Sequence, residues 1–476
     1  MCACGATSVT GAEALTALDA SFLHVESTTT PMHMASVGYF DGRPLYDAEG
    51  HFRIADIRRL IDSRLALVPK LRQRPWPSPL GQAPPAWIDY PDFDIEEHVR
   101  VRQLTSPASE TELRQMCADL MAVPLDRARP LWDLTFVEGL DDGRVALIER
   151  LHHSMADGLA AAELATVLLD LSPESSPLDG LVAPWSPSAS TPPWQAAAAD
   201  LLRLAALPVR AAKWYVETVV HPIRRSRELT DLARAFGTIF TPRIVAPKSS
   251  LNGPITSARS VAFVRLPLED VRDVARSFDS TINDVLLTLV SGGMRALLQS
   301  RAELTEASEL QILVPVGQIN AEGRELGNSV SALFVRLPVG VDDPADMLKA
   351  VSAEVGEDKR RHQALAAAAF LRFIEPLPQD LLARGARLVH YQPFFNLVVT
   401  NVPGPPVPLY ALGAKLLEAF PILPLAGNQS LAVAALSYEG QLNLGVLSNP
   451  ATCPDAEDFC AGVRICHESL VERSRG

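Results

Sequence analysis

Seven consecutive residues carry side chains suited to proton transfer: His152-His153-Ser154-Met155-Ala156-Asp157-Gly158. An imidazole with an unperturbed pKa of about 6.5 is substantially neutral at cytoplasmic pH, so it can remove a proton from an alcohol or amine during attack. Asp157 is placed to accept hydrogen bonds from the first-turn amides of a helix and to pair with an arginine. Gly158 leaves room for close approach of the backbone. These residue types indicate a transfer reaction assisted by one base.

A hairpin and a helix are predicted to position the two histidines. The β-like runs 131–137 and 144–152 flank the turn Asp141-Asp142-Gly143, and residues 157–171 place apolar side chains at helical intervals. The histidines therefore lie where a strand gives way to a loop and a helix, a position at which functional residues concentrate. Because neighbouring residues of a strand point to opposite faces, we expect one histidine to face a cavity and the other to point into the structure.

Other interpretations of this segment remain open on the residues alone. The histidines and Asp157 are also consistent with a metal site, although adjacent histidines rarely converge on one ion, or with a purely structural histidine pair. A Ser-His-Asp hydrolase is disfavoured because there is no G-x-S-x-G elbow: the nearest sequence, Leu289 to Gly293, falls inside a predicted helix over 280–301. The sequence also contains no P-loop and no dinucleotide-binding glycine pattern.

Composition indicates an ordinary globular protein. The 476 residues include 43 Lys and Arg against 56 Asp and Glu, a net charge of −13, and 47% are hydrophobic. This length favours two or three domains, and the acidic balance argues against nucleic-acid binding. The six cysteines are expected to be free thiols in a reducing cytoplasm. We expect no secretory signal, and no transmembrane segment because prolines interrupt the long apolar stretches 391–414 and 419–438.

Three ranges are expected along the chain: a domain at 12–171, a connector at 172–250 and a second domain at 251–472. The connector begins with a Ser/Pro-rich stretch at 172–194 and continues with residues 201–248, which hold nine Lys or Arg against three Asp or Glu. This basic segment is consistent with a helix lying on a lipid surface or with a connecting helical hairpin. The second domain is predicted to mix helices at 344–361 and 379–388 with strands at 310–316, 330–338, 396–402, 431–437 and 442–447.

Several further motifs accompany HHxxxDG. They are Leu15-Thr16-Ala17-Leu18-Asp19-Ala20-Ser21-Phe22-Leu23, Pro31-Met32-His33, Pro130-Leu131-Trp132, Asn283-Asp284, Gly327-Asn328, Thr400-Asn401-Val402-Pro403-Gly404-Pro405 and Ser437-Tyr438. With these motifs in this order, the chain resembles the bacterial wax ester synthase/diacylglycerol acyltransferase family over nearly its whole length. The resemblance implies an α/β fold of two similar domains, each of mixed sheet and helices as in coenzyme A-dependent acyltransferases, with a tunnel between them.

The resemblance also implies roles for the motif residues. His153 is the expected general base, His152 supports the loop, and Asp157 pairs with an arginine for which Arg72, Arg74 and Arg129 are candidates. Asn283 is expected to polarise the thioester carbonyl and Asp284 to fix a helix start, with helix capping alone as the alternative for both. Pro130, Leu131 and Trp132 either shape the tunnel wall or pack as a core strand, and Thr400 and Asn401 are expected to support the site.

The expected reaction is transfer of a long-chain acyl group from acyl-CoA, a co-substrate, to diacylglycerol, with no cofactor and no metal. A long-chain fatty alcohol is the alternative acceptor and would give a wax ester. Two further alternatives are a catalytically silent lipid-binding protein and a condensation-type enzyme with a carrier-protein donor. The expected location is the cytoplasm, peripheral on the inner face of the cell membrane or on lipid inclusions.

Overall fold

A computed structural model of the protein describes residues 13–81, 83–156, 158–174, 185–188, 245–319, 325–360 and 392–475, together with 194–206 except 196, 199 and 203. Three sequence predictions lie outside the described residues. They are Asp157, the helix at 379–388 and the part of the basic segment from 207 to 244.

Helices and strands are interspersed along the described chain, and five consecutive strands precede the last helix. The helices are α1 (Ala17–Val25), α2 (Ile54–Arg64), α3 (Ile95–His98), α4 (Glu110–Met121), α5 (Gly158–Leu168), α6 (Leu268–Ser277), α7 (Ile282–Ser300), α8 (Pro344–Arg360) and α9 (Ala456–Arg475). The strands are β1 (Glu13–Ala14), β2 (His33–Phe40), β3 (Gln73–Trp76), β4 (Ala86–Asp89), β5 (Val99–Ala108), β6 (Trp132–Leu140), β7 (Val145–His152), β8 (Ser260–Pro267), β9 (Leu310–Ile319), β10 (Glu325–Leu337), β11 (Leu397–Pro403), β12 (Tyr410–Ala411), β13 (Ala414–Ile422), β14 (Leu431–Tyr438) and β15 (Gln441–Ser448).

Two six-stranded mixed sheets form the frame of the molecule. The first has the order β12-β13-β2-β7-β6-β5 and the second has the order β10-β9-β11-β14-β15-β8, while β1, β4 and β3 form a small third sheet. The predicted α/β class with two similar mixed halves is confirmed. Strands β12 and β13 lie within the range 251–472 but join the first sheet, so the two halves share strands. The three proposed domain ranges themselves stay predictions.

The predicted hairpin before the histidines is present. Strands β6 and β7 pair antiparallel, with Trp132 opposite Leu151 and Val137 opposite Ala146. On its other edge β7 pairs with β2, which the sequence patterns did not reveal, and His33 lies opposite His152 in that pairing. Strand β7 is therefore an interior strand, and the loop that follows it is held at the end of a sheet paired on both sides.

Helices α7 and α9 pack closely in the core of the second half. A Cβ placed on Gly293 would lie 2.7 Å from the Phe459 ring, and one on Gly292 would lie 2.6 Å from the Cβ of Cys466. The glycines of the sequence Leu289 to Gly293 thus permit helix contact, as expected for a segment inside a helix. Burial raises the pKa of the Cys466 thiol to about 12.

The other described cysteines, Cys117, Cys453 and Cys460, are also buried free thiols. This agrees with the sequence prediction for the four cysteines that the structure describes. None of the described helices is both long enough and apolar enough to cross a bilayer.

Candidate active site

A cavity of about 580 Å³ is lined by strands from both six-stranded sheets. Strands β2, β7 and β13 contribute from the first sheet, β9, β11 and β14 contribute from the second, and helices α1 and α5 complete the wall. Most of the described side chains that line it are aliphatic, so the cavity suits a hydrocarbon chain. We refer to this space as the cavity throughout.

His153 lies on the wall of the cavity. Its backbone N–H donates to the Met32 carbonyl at 2.9 Å, which continues the pairing of β7 with β2 by one residue. Its ring stacks on Phe22 of α1, with ring centroids 4.1 Å apart and an interplanar angle of 17°. The side chain of Thr16 accepts a hydrogen bond from the Asp19 amide and caps α1, the helix that carries Phe22. The half-buried His153 ring is thus oriented by a fixed aromatic neighbour and faces a greasy space.

His152 points away from the cavity and is fully buried. Its Nδ1 accepts the Ser154 backbone N–H at 3.1 Å and lies 2.7 Å from the Ser154 hydroxyl oxygen. Because Nδ1 accepts from an amide, the ring proton of the neutral imidazole belongs on Nε2, which lies 3.4 Å from a Glu26 carboxylate oxygen. The two rings therefore lie on opposite faces of the strand and do not converge on one ion.

Glu26 is a buried residue of this site that the sequence analysis missed. Its carboxylate accepts the Met32 amide at 3.1 Å and the Arg127 guanidinium at 2.7 and 2.9 Å. Burial alone would raise the pKa of Glu26, but His152, the Met32 amide and Arg127 together lower it to about 2. The buried ring of His152 was the available clue, because a buried polar side chain requires a partner.

A second buried histidine lies beside this network. His33 is opposite His152 in the pairing of β2 with β7 and is fully buried. Burial, followed by the nearby charge of Arg150, holds the pKa of His33 well below its usual range. His33 is therefore neutral at physiological pH and belongs to the interior side of the strand.

Three hydrogen bonds fix the backbone of the loop after β7. The Met155 amide donates to the His152 carbonyl at 2.8 Å, the Lys70 ammonium donates to the Met155 carbonyl at 2.8 Å, and the His152 amide donates to the Leu131 carbonyl at 2.9 Å. These bonds hold the loop without using the His153 side chain. The histidine that faces the cavity is thus held by a rigid main chain.

Pro130, Leu131 and Trp132 support the loop from the core. None of the three is among the described residues that line the cavity. Trp132 is buried, donates its indole N–H to the Leu71 carbonyl at 2.7 Å and stacks on His98 with centroids 4.6 Å apart. Leu131 and Trp132 belong to a buried apolar cluster, which fits the alternative of core strand packing, and a role of the motif in shaping the tunnel wall stays a prediction. Alternation along a strand does not reveal which of two buried faces meets a cavity.

The ion pair expected for Asp157 lies outside the described residues. Its three candidate partners have other contacts: Arg72 binds Asp62 at 2.8 Å, Arg129 binds Glu97 at 2.7 Å, and the Arg74 guanidinium lies 5.1 Å from the Trp76 ring centroid. Gly158 is the first residue of α5, as the sequence predicted for the start of this helix.

Asn283 and Asp284 lie at the beginning of α7. The Thr281 side chain accepts the Asp284 amide at 3.2 Å, and the Asp284 carboxylate accepts the Thr281 amide at 2.9 Å, which is a reciprocal capping box. Asp284 thus fixes this helix start. Neither Asn283 nor Asp284 is among the described residues that line the cavity. The capping box accounts for Asp284, and the role of Asn283 stays a prediction.

Strand β11 divides its two predicted site residues between its faces. Thr400 lines the cavity together with Val398 and Val402, whereas Asn401 is not among the described lining residues. Another lining residue, Glu149, was not singled out in the sequence. Burial raises the pKa of this carboxyl group to about 7. The cavity therefore carries a titratable group besides the histidine.

Two family models match the chain. The one described as "Wax ester synthase/diacylglycerol acyltransferase catalytic domain" matches residues 15–286, and the one described as "WS/DGAT C-terminal domain" matches residues 326–469. A probable diacylglycerol O-acyltransferase of Mycobacterium tuberculosis is 32% identical over 97% of this chain and 96% of its own length. A putative diacylglycerol O-acyltransferase of the same species is 29% identical over 97% of this chain and 91% of its own length.

Two solved structures share the fold. The wax ester synthase/diacylglycerol acyltransferase from Marinobacter aquaeolei VT8 superposes with a TM-score of 0.68 at 24% identity, covering 97% of this chain and 100% of that chain. The first condensation domain of the CDA synthetase superposes with a TM-score of 0.57 at 19% identity, covering 98% of this chain and 97% of that chain. The overall fold of this chain is thus shared with both proteins.

Proposed function

Because the chain belongs to the wax ester synthase/diacylglycerol acyltransferase family, and is an acyltransferase, we propose that it transfers a long-chain acyl group from acyl-CoA to diacylglycerol. The product is triacylglycerol, and His153 is the general base. The observation that carries the proposal is the placement of His153, whose ring lies on the wall of a largely aliphatic cavity between the two sheets. The names of the relatives, which are diacylglycerol O-acyltransferases, favour diacylglycerol as the acceptor.

The chemistry follows from one imidazole and two bound substrates. His153 removes the proton of the acceptor hydroxyl as its oxygen attacks the carbonyl carbon of the thioester. The tetrahedral intermediate expels the coenzyme A thiolate, which takes the proton from the imidazolium, so the ester and the free thiol are formed and the imidazole is regenerated. A positioned base supplies about 10²- to 10⁴-fold in rate. Holding both substrates together in the cavity supplies much of the remaining rate enhancement.

The neighbours of His153 support this role. Stacking on Phe22 restricts the ring orientation, and the fixed loop keeps the ring at the cavity wall. His152 is held with Ser154 and Glu26 on the other side of the strand, so it acts on the loop and not on the substrate. Thr400, which lines the cavity, is proposed to line the substrate path. Asn283 is proposed to polarise the thioester carbonyl, with helix capping as the alternative.

A fatty alcohol remains the alternative acceptor, because it presents a hydroxyl on a hydrocarbon chain to the same base. A catalytically silent lipid-binding protein is a second alternative. It is less favoured because a binding protein would gain nothing from a histidine oriented by a stacked ring at the wall of the cavity.

We also propose a cytoplasmic enzyme that associates peripherally with the inner face of the membrane or with lipid inclusions. Trp194, Leu201 and Leu202 are 68%, 58% and 71% exposed, which is unusual for large apolar side chains. They lie beside and within the start of the basic segment 201–248, and that combination suits a lipid surface.

The test is a competition between acceptors. Purified protein is incubated with labelled palmitoyl-CoA and equal amounts of diacylglycerol and hexadecanol, and the products are separated by chromatography. Labelled triacylglycerol in excess over wax ester is expected. Excess wax ester would replace diacylglycerol by the fatty alcohol as the acceptor. If the folded protein makes neither ester, the proposed activity is wrong.

A further inference from the structure

One row of the cavity wall is polar where its neighbours are apolar. Leu147, Glu149, Leu151 and His153 all line the cavity, as alternation along β7 requires. Glu149 lies on β7 and His153 directly follows its last residue, so extended backbone would separate their Cα atoms by about 13 Å. Both side chains face the cavity, but at this distance they cannot exchange a proton directly.

Ser36 of β2 lies directly opposite Glu149 in the pairing of the two strands, and it also lines the cavity. The rows on either side are apolar: Leu151 is opposite Met34, and Leu147 is opposite Gly38. Directly opposite residues of an antiparallel pair have Cβ atoms within about 5.5 Å of each other. The carboxyl and hydroxyl groups therefore form one polar site between two apolar rows of the β2–β7 wall.

Glu149 differs from the acids Asp133 and Glu26 in having no cationic partner among the described residues. Asp133 binds Arg150, and Glu26 binds Arg127, but no described residue forms an ion pair or hydrogen bond with the Glu149 carboxyl group. A carboxyl group without a partner in an apolar setting is costly, and that cost is offset when a ligand supplies the missing hydrogen bond. Its raised pKa, about 7, leaves the neutral acid well populated, and that form both donates and accepts.

The geometry points to a substrate-binding role: we propose that Glu149 and Ser36 bind an oxygen-bearing group on the lipid substrate, some 13 Å along the wall from the reacting centre. This inference rests on the proposed function. In an extended hydrocarbon chain that separation corresponds to about ten carbon–carbon bonds, taking ~1.5 Å per bond and the zigzag of the chain. The ligand chemistry is a neutral hydroxyl or ester carbonyl. The site makes the enzyme selective for oxygenated lipid over plain hydrocarbon.

Three pairs of substrates distinguish the sources of that oxygen. The donor pair is 10-hydroxystearoyl-CoA against stearoyl-CoA, the alcohol pair is 1,10-decanediol against decanol, and the glyceride pair is diacylglycerol against hexadecanol. For each pair the ratio of kcat/KM values is compared among wild type, Glu149→Leu, Glu149→Gln and Leu147→Met. Leucine fills the space of the carboxyl side chain without its hydrogen bonds, and Leu147→Met alters the same wall without removing a polar group.

Glu149→Leu is expected to lower the preference for the oxygenated member at least about tenfold in one or more pairs. The wild-type carboxyl group can hydrogen-bond the oxygenated substrate, whereas leucine cannot. A loss in the donor or alcohol pair assigns a mid-chain hydroxyl, and a loss in the glyceride pair alone assigns the ester. Glu149→Gln retains a donor and an acceptor and is expected to keep most of the preference.

Two results would overturn the inference. Ratios unchanged by Glu149→Leu in all three pairs show that the carboxyl group does not bind substrate. An equal loss in Leu147→Met shows that cavity shape, and not hydrogen bonding, sets the preference. Failure of the wild type to esterify even the plain members would instead refute the proposed function itself.

Discussion

The two faces of β7 differ in how their polar side chains are satisfied. On the interior face, Arg150 donates to both oxygens of Asp133, at 2.9 and 2.5 Å, and to the Leu120 carbonyl at 2.6 Å. His152 on the same face is held by Ser154 and lies beside Glu26. On the cavity face, His153 and Glu149 project among aliphatic side chains. A single alternating strand thus separates the groups that maintain the fold from those available to a substrate.

This difference supports unlike roles for the two adjacent histidines in the proposed reaction. A charge-bearing group surrounded by fixed partners contributes to structure, and altering it disturbs the partners as well. The carboxyl group of Glu149 lines the cavity and has no hydrogen-bond or ion-pair partner among the described residues, so it keeps its hydrogen-bonding capacity for a ligand. The comparison therefore predicts that substitutions on the cavity face change activity more than stability, and that the interior face shows the reverse.

The largest expected effect is on the cavity face. His153→Ala should reduce acyl transfer by about 10²- to 10⁴-fold, because it removes the proposed base. The half-buried ring stacks on Phe22 at the cavity wall, away from the His152–Glu26–Arg127 network, so the melting temperature should change little. Turnover of labelled palmitoyl-CoA and thermal unfolding are measured on the same preparation.

His51→Ala is the matched control, because the His51 side chain is 80% exposed and pairs with the surface residue Asp47. This variant should match the wild type in both measurements. Near-normal turnover of His153→Ala would remove the base assignment, and a collapse of its stability would place His153 with the interior face.

The next effect concerns Glu26 on the interior face. Its pKa is lowered from an ordinary 4.5 to about 2, so the folded state holds the ionised form more tightly than the unfolded chain does. The resulting stability is fully present above pH 4.5 and is lost as the pH falls toward 2. Its size is on the order of 3 kcal/mol, because a tenfold difference in proton affinity between the folded and unfolded states corresponds to about 1.36 kcal/mol.

Urea unfolding of wild type and Glu26→Gln between pH 2 and pH 7 isolates this contribution. The wild type should lose stability more steeply on acidification than the variant, which cannot ionise. Glu96→Gln, at an exposed ion pair with Arg58, is the control and should follow the wild-type curve. Parallel curves for wild type and Glu26→Gln would show that the His152–Glu26–Arg127 network does not stabilise the fold.

The sequence predicted the elements whose patterns are local. The β6–β7 hairpin follows from a turn and two short strands, and α5 and α7 follow from periodicity and caps, so each was found within a few residues. The family motifs added the two-sheet fold and the candidate base. These features depend on neighbours in the chain, which a sequence displays directly.

The missed features depend on distant pairings. Strand β2 brings Met32, His33 and Ser36 beside β7, and β13 comes from far along the chain to pair with β2. Neither Glu26 nor Glu149 belongs to a sequence motif. Glu26 matters because it lies beside His152, and Glu149 matters because it lines the cavity. The sequence also does not predict whether Trp132 faces the cavity or the core. A buried strand has two faces, and only the tertiary structure decides which one meets the cavity.

The smallest expected effect is a stability change on the cavity face. Burial raises the pKa of Glu149 from an ordinary 4.5 to about 7, so the folded state favours the protonated form. Relative to a residue that cannot ionise, wild-type stability is therefore lost as the pH rises from 4.5 through 7. Glu149→Gln should equal the wild type near pH 4.5 and exceed it by about 1–3 kcal/mol at pH 8. His153 and Tyr438 are the other titratable groups among the described lining residues, and both are unchanged in this comparison.

Urea unfolding at the two pH values provides the measurement, with Glu163→Gln on the exposed side of α5 as control. The control should show no gain at pH 8, because an exposed carboxylate is hydrated in both states. If Glu149→Gln alone is more stable than the wild type at pH 8, then the ionised Glu149 carboxylate destabilises the fold. A group that destabilises the free protein is expected to have a ligand-binding role. Equal stability of Glu149→Gln and wild type at pH 8 would mean that the carboxylate is satisfied without a ligand, and the contrast between the two faces of β7 would then rest on His153 alone.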